Sequence, residues 1–215
     1  MKNLIALLIV VSLLCLSGCG LFGSTVGPSL VYDIVANSQP TKVTTEVSYA
    51  TINGDTLTGF YTTTVSGSDT IFEYEYQRLA TPEESIKDGN VNRIKTVSGV
   101  IYYHDGVYSY GDSTEWKPGT GSAIDIKLNV KEEYLKNVQF NDDYTVLTAD
   151  ITPENAVKVL GTDIGAIDDI TIVVETNGVN LTLVTISCST QIGDLAIRSS
   201  YTYNAQNLFP ESDAQ

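Results

Sequence analysis

The chain has 215 residues, 42% of them apolar, so it is long enough and apolar enough to form one domain with a core. Its 26 Asp and Glu outnumber its 12 Lys and Arg, which gives a formal net charge of −14. This acidity excludes nucleic acid as a partner, because phosphate binding needs clustered basic residues. One His and three Cys leave few residues for histidine catalysis or a zinc site, so we expect no cofactor, no metal and no enzymatic activity.

The N-terminus has the pattern of a secretory signal. Lys2 precedes a mostly apolar run over residues 4–16, which is typical of the positive and hydrophobic regions of a signal peptide. The run leads into Leu16-Ser17-Gly18-Cys19, which resembles the lipobox of bacterial lipoproteins. In that family small residues precede a cysteine that is lipidated before the signal is removed. The resemblance therefore implies a lipid on Cys19.

This interpretation divides the N-terminus into a signal peptide over residues 1–18 and a lipidated tether over residues 19–28. An uncleaved span over residues 4–22 is the alternative, but Ser17 and the neighbouring glycines weaken it. Two or three acyl chains hold a protein on a bilayer without spanning it. We expect an extracytoplasmic protein anchored to the cell membrane, or to the outer membrane of a cell with two membranes.

The cysteines agree with this prediction. Cys15 leaves with the signal and Cys19 is blocked by lipid, so Cys188 stands alone and a monomer has no disulfide. Cys188 has the same strand parity as Val184 and Ile186. That placement favours a buried small hydrophobe over a reactive thiol.

Alternating β-branched and aromatic residues predict nine strands. They are Lys42–Ala50, Thr56–Val65, Thr70–Leu79, Asn92–Tyr103, Val107–Tyr110, Val146–Ile151, Asp169–Thr176, Asn180–Thr190 and Asp194–Tyr203. Asn53-Gly54, Asp105-Gly106 and Asn177-Gly178 predict tight hairpins with positive φ at both central residues. Consecutive hairpins predict an antiparallel sheet rather than βαβ units.

Four short segments predict helices: Ser29–Asn37, Thr81–Asp88, Asn129–Leu135 and Thr152–Leu160. The second has a capping box, with Thr81 before the helix, Pro82 at its first position and Glu84 at its third. No repeat or internal linker divides the chain. We therefore predict one domain over residues 29–204 and a flexible tail over residues 205–215.

Aromatic residues recur on one parity of the central strands. If Asp105-Gly106 form a two-residue loop, Tyr103 faces Tyr108 and Ile101 faces Tyr110, and all four share an inward face with Val97. A second stripe follows one strand earlier, at Phe72, Tyr74 and Tyr76. These seven residues (Val97 aside) are the candidate lining of an apolar ligand site. The simpler interpretation of these aromatic residues is a sheet face that is partly exposed to solvent and binds no ligand.

The order of these elements resembles a known family. A lipobox, a short tether and one helix precede antiparallel strands, then Gly99-Val100-Ile101-Tyr102-Tyr103-His104-Asp105-Gly106-Val107-Tyr108 with Trp116, then a short helix and three closing strands. This is similar to the lipoprotein-localisation-factor superfamily, the LolA/LppX-like fold. The resemblance implies a mainly β, α+β domain: a curved antiparallel sheet forming an open half-barrel, with short helices on its concave side. It also implies an acyl chain or other apolar ligand inside.

Catalytic motifs are missing from the sequence: there is no Gly-x-Ser-x-Gly, no phosphate loop and no His-Glu-x-x-His. His104 is predicted to be a solvated turn residue, and the acidic pairs Asp142-Asp143 and Asp168-Asp169 are predicted to be solvated loops. We expect a monomeric, membrane-anchored carrier of a lipid or other apolar ligand. The rival is a structural or interaction module of the cell envelope with a filled core, and an enzyme is third. A continuous apolar cavity between sheet and helices would separate the first two.

Overall fold

A computed structural model describes residues 27–67, 69–87, 93–104, 107–110 and 128–203, with Ile86, Lys87, His104 and Val107–Tyr110 described as backbone only. The helices are α1 (Pro28–Ala36), α2 (Pro82–Lys87) and α3 (Pro153–Leu160), with a 3-10 turn at Glu132–Tyr134. The strands are β1 (Lys42–Thr51), β2 (Thr56–Ser66), β3 (Asp69–Leu79), β4 (Ile94–His104), β5 (Val107–Tyr110), β6 (Lys136–Phe140), β7 (Val146–Ile151), β8 (Ile170–Thr176), β9 (Leu181–Thr190) and β10 (Gly193–Thr202).

All ten strands belong to one antiparallel sheet, in the order β5-β4-β3-β2-β1-β10-β9-β8-β7-β6. Two up-and-down halves, β1–β5 and β6–β10, meet where β1 pairs with β10 over ten residue pairs. Over the described residues β5 and β6 are the edges, so the sheet is open. The prediction of a mainly β, antiparallel domain is confirmed. Within the described ranges, no helix is long and apolar enough to cross a membrane.

The core lies on one face of the β6–β10 half. Alternate residues of β7, β8 and β9 are buried, as strand geometry requires when one face is covered. Ile172 pairs with Ala149 on one side and Ile186 on the other, so the buried positions form continuous rows. α1 covers these rows with Val31 and its buried neighbours, and α3 covers them with Val159. Each fully buried aliphatic side chain contributes about 1.5–3 kcal/mol.

The face that carries the helices continues across the whole sheet. Residues paired in register lie on the same face, because side chains alternate strictly along each strand. From core residue Ile186 the pairing runs through Ile197, Val47 and Gly59 to Tyr76. The predicted aromatic stripe therefore lies on the same face as α1 and α3, several strands away from them.

The predicted strands are present with ends within two residues, but one strand was missed. β6 (Lys136–Phe140) was absent from the prediction, and the predicted helix Asn129–Leu135 is wrong, since only a 3-10 turn forms there. A register shift between Lys136 and Gln139, with φ +51° at Asn137, interrupts the pairing of β6 with β7. Such a bulge breaks the alternation by which strands are recognised.

The turns also differ from the prediction. Neither Asn53 nor Asn177 has positive φ, whereas Gly54 (+85°) and Gly178 (+84°) do. The Asn177 side chain instead accepts hydrogen bonds from two backbone amides, 2.8 and 3.1 Å away, which fixes the turn without a left-handed asparagine. Asp105-Gly106 lie outside the described residues, as do residues 1–26, Trp116 and the tail.

The capping box of α2 is confirmed. The Glu84 amide donates to the Thr81 hydroxyl at 3.3 Å, and the Thr81 amide donates to the Glu84 carboxylate at 2.8 Å. Arg78 adds two charge-assisted hydrogen bonds to the same carboxylate, at 2.6 and 2.8 Å. The Arg78 bonds, followed by the Thr81 amide, lower the pKa of Glu84 to about 2.

Candidate ligand-binding face

Four aromatic rings form a row on the helix-bearing face, which we call the aromatic ladder: Tyr61 on β2, and Phe72, Tyr74 and Tyr76 on β3. Neighbouring ring centroids are 5.8–6.5 Å apart, and their planes differ by only 14–33°. Aromatic pairs at such spacing attract one another beyond the gain from burial. The rings are half-buried, so the ladder presents a continuous aromatic surface rather than separate side chains.

Two glycines leave the space that the tyrosine rings occupy. A Cβ on Gly99 would lie 2.6 Å from Cζ of Tyr74, its partner across the strands, and a Cβ on Gly59 would lie 2.9 Å from Cε2 of Tyr61. Neither glycine has positive φ, so each is needed for room and not for backbone conformation. The rings of Tyr74 and Tyr61 thus lie directly over the backbone of Gly99 and Gly59, close to the sheet.

A groove of about 220 Å³ opens beside the ladder, across β1, β2 and β3. Its floor includes Gly59, with Tyr61 and Tyr76 on one side. The remaining lining residues are Val47, Tyr49, Leu57, Thr58 and Gln77. None of these side chains is charged, and the volume is below that of a complete small-molecule pocket, about 300–1,000 Å³. The groove is therefore suited to one apolar segment of a longer ligand.

Several polar groups in and near the groove are hydrogen-bonded to other protein groups. The Tyr49 hydroxyl hydrogen-bonds the Thr190 hydroxyl at 2.9 Å, and Thr45 bonds Ser199 at 2.9 Å in the seam between β1 and β10. Burial raises the pKa of Tyr61, with a smaller contribution from Tyr76. The raised pKa keeps the Tyr61 hydroxyl neutral at physiological pH.

The ladder lies outside the helix-covered core. Within the described ranges, the core cluster and the residues packed against it come from α1, α3, β6–β10 and the segments between them, and no residue of β2–β4 belongs to it. Among the described residues, α1 and α3 therefore pack over the β6–β10 half of this face, and no residue of the ladder belongs to their core cluster.

The structure places five of the seven predicted lining residues on this face, and of these only Tyr76 lines the groove. Phe72, Tyr74 and Tyr76 form the ladder, Ile101 pairs with Phe72, and Tyr103 is on the same face. The predicted backbone pairing of Ile101 with Tyr110 and of Tyr103 with Tyr108 is confirmed. The side chains of Tyr108 and Tyr110 lie outside the described residues, as does Cys19.

Sequence reasoning missed Tyr61, the two glycines and the β1 contribution to the groove. In β2 the neighbours Phe60 and Tyr61 are both aromatic, so parity alone does not choose the inward one. The structure leaves Phe60 47% exposed on the opposite face. Pairing Tyr61 with Tyr74 identifies the inward residue, and that signal requires the strand register.

The opposite face of the same strands has a different character. A wider, shallow depression of about 550 Å³ lies there, with Glu73 and Glu75 among its lining residues beside Phe60. Both carboxylates are exposed. The depression therefore belongs to an acidic solvated surface, and it does not compete with the ladder as a site for an apolar ligand.

Metal chemistry finds no support in the described part of the chain, where no three His, Cys, Asp or Glu side chains are grouped as a metal site would require. Cys188 is buried as predicted, and burial, followed by the negative charge of Asp194, raises the pKa of its thiol.

No protein-family model matches the chain, and a search of curated proteins finds no similar sequence.

Proposed function

We propose that this protein is a lipid-anchored, extracytoplasmic binding protein that holds an apolar ligand, such as an acyl chain, against the aromatic ladder. One observation carries the proposal. The ladder and its groove lie on the face that packs the core, yet the helices of the described structure cover only the other half of that face. A large aromatic surface of this kind gains stability when an apolar partner covers it.

The finer architecture belongs to the same proposal. We infer that the sheet curls into an open half-barrel with α1 and α3 on its concave side, as in the lipoprotein-localisation-factor superfamily. A ten-stranded sheet with accumulated twist tends to curl. In that geometry the ladder would line the part of the concavity left free by the helices.

The lining chemistry favours the apolar part of a ligand over its headgroup. The side chains in the groove offer no cation to pair with a carboxylate or phosphate, and the hydroxyl of Tyr49 is already bonded to Thr190. Each methylene transferred from water contributes about 0.8 kcal/mol. An elongated chain lying along the ladder would therefore bind through its length, with its polar end in solvent.

The binding test compares two tryptophan substitutions on β4. Ile101→Trp places bulk on the ladder face, and Val100→Trp places the same bulk on the opposite face as a matched control. We expect Ile101→Trp to weaken binding of a fluorescent fatty acid at least tenfold with little change in the urea midpoint, and Val100→Trp to leave binding unchanged. A wild-type protein that binds no apolar probe, combined with a loss of about 1–3 kcal/mol in Ile101→Trp from overpacking, would contradict the proposal. The chain would then be a structural or interaction module with a filled core.

The anchor is tested separately with Cys19→Ala. We expect the variant to lack lipid and to accumulate as a precursor that keeps its signal peptide, because the thiol is the atom that receives the lipid. Mass spectrometry of the membrane and soluble fractions distinguishes the two forms. A Cys19→Ala chain that is processed and membrane-bound like the wild type would disprove the lipoprotein assignment.

A further inference from the structure

Three connections at one end of the sheet expose isoleucines. Ile52 lies between β1 and β2 and is 76% exposed, Ile192 lies between β9 and β10 and is 65% exposed, and Ile167 lies before β8 and is 52% exposed. We call this group the isoleucine end. Exposed apolar residues grouped at one place with a polar surround mark an interaction surface, whereas single ones need no explanation.

Backbone contacts hold the three connections together. The Ile52 amide donates to the Ile192 carbonyl at 3.1 Å, which joins the first two turns. The Ile167 amide donates to the Ser189 carbonyl at 3.0 Å, and Ala166 forms a β-bridge with Thr190. The isoleucines therefore belong to one hydrogen-bonded unit whose positions are fixed by the sheet.

The same connections are acidic. The segments Thr51–Asp55, Gly161–Asp169 and Thr190–Asp194 together contain five aspartates and no Lys or Arg. Those aspartates are Asp55, Asp163, Asp168, Asp169 and Asp194. The four aspartates other than Asp55 are exposed. Asp55 is more covered and lies 3.4 Å from the Arg93 guanidinium.

Two of the turns repeat one pattern. Thr51–Asp55 reads Thr-Ile-Asn-Gly-Asp and Thr190–Asp194 reads Thr-Gln-Ile-Gly-Asp. Ile52 lies in the turn two residues before Gly54 (φ +85°), and Ile192 lies in the turn directly before Gly193 (φ +144°), the first residue of β10. An aspartate follows each glycine. The two adjacent hairpins thus present the same pair of features, an apolar tip and a carboxylate.

We propose that the isoleucine end is a docking surface for a protein partner with an apolar patch rimmed by Lys or Arg. The charge pattern decides between partners, because anionic lipid headgroups would repel the aspartates while a basic rim would be attracted to them. The isoleucines would form the apolar centre of the interface, from which water is excluded. This surface adjoins the groove, since Thr190 hydrogen-bonds Tyr49, but it contains none of the groove's lining residues, so the proposal does not depend on ligand binding.

The test uses photo-crosslinking of the full chain in the cells that produce it. The photo-reactive amino acid p-benzoylphenylalanine replaces Ile192 in one version and Val179 in the control. Val179 is equally apolar and 76% exposed, but it lies on the β8–β9 hairpin at the other end of the sheet. We expect a discrete protein adduct at position 192 and none at position 179.

Two variants then test the chemistry of the adduct. Ile52→Ser removes apolar contact and keeps every charge, whereas Asp168→Asn with Asp169→Asn removes charge and keeps every isoleucine. We expect each to reduce the adduct at least fivefold, and the purified partner to bind the full chain at least tenfold more weakly when either change is made, with binding that falls as salt rises. An adduct with lipid, an adduct with a second copy of this chain, no adduct, or an adduct insensitive to both variants would each overturn the proposal.

Discussion

The fit of Tyr74 over Gly99 gives a quantitative prediction. In Gly99→Ala the new Cβ would lie 2.6 Å from Cζ of Tyr74, so the ring must leave its place over β4. Overpacking of this kind costs about 1–3 kcal/mol. Alanine also gains about 0.5–1 kcal/mol over glycine in a strand, because it loses less backbone entropy on folding. The expected net loss of unfolding free energy is therefore about 0–2.5 kcal/mol.

The sign should reverse when the ring is removed. In a Tyr74→Ala background the overlap is gone, and Gly99→Ala should then stabilise the protein by about 0.5–1 kcal/mol. Urea unfolding of the wild type, the two single variants and the double variant measures the coupling, which we expect to be about 2 kcal/mol. Ser98→Ala, at the neighbouring exposed position, is the control and should shift stability by less than about 0.5 kcal/mol. Equal effects of Gly99→Ala in both backgrounds would refute the assigned contact.

Two further predictions concern single side chains. Cys188 should react with a thiol reagent slowly in the folded protein and rapidly in denaturant, and Cys188→Ala should cost about 1 kcal/mol through lost burial; fast labelling of the native protein would contradict its burial. For Glu84 the folded pKa of about 2 is below its ordinary 4.5, so its stabilisation of α2 is present above pH 4.5 and lost as the pH falls towards 2. The urea midpoint of Glu84→Gln should therefore lie below that of the wild type at pH 6 and approach it near pH 2, and a constant difference would contradict the assignment.

Local chemistry made much of the sheet predictable. β3 alternates aromatic and polar residues from Phe72 to Gln77, and the hairpin between β4 and β5 has a register that follows from its turn position alone. The Thr81–Glu84 capping box was equally readable because its hydrogen bonds join residues three apart. Several features set by sequence neighbours were therefore recovered, whereas the helix predicted at Asn129–Leu135 and the positive φ predicted at Asn53 and Asn177 were wrong.

Features that depend on the pairing of distant strands were not recovered from the sequence. The approach of Tyr74 to Gly99 joins residues on different strands, and glycine at position 99 looks like a strand weakness until its partner is known. The grouping of Ile52 with Ile192 depends on the pairing of β1 with β10, which connects parts of the chain about 140 residues apart. β6 was missed for a different reason, since a bulge hides its alternation.

The order of elements in the sheet has a consequence for folding. α1 is made first, yet it packs against β7, β8 and β9, and β1 finds its second neighbour only when β10 has been made. Pairing β1 with β10 closes a loop that contains most of the chain, and this step is slow because of its entropic cost. Until it occurs, the apolar face of α1 and one edge of β1 stay exposed to solvent. A chain truncated before residue 193 lacks β10, so the edge of β1 that pairs with β10 would stay unpaired. We expect such fragments to aggregate rather than form a smaller stable domain, and a chaperone that covers β1 during folding to raise the yield of folded protein.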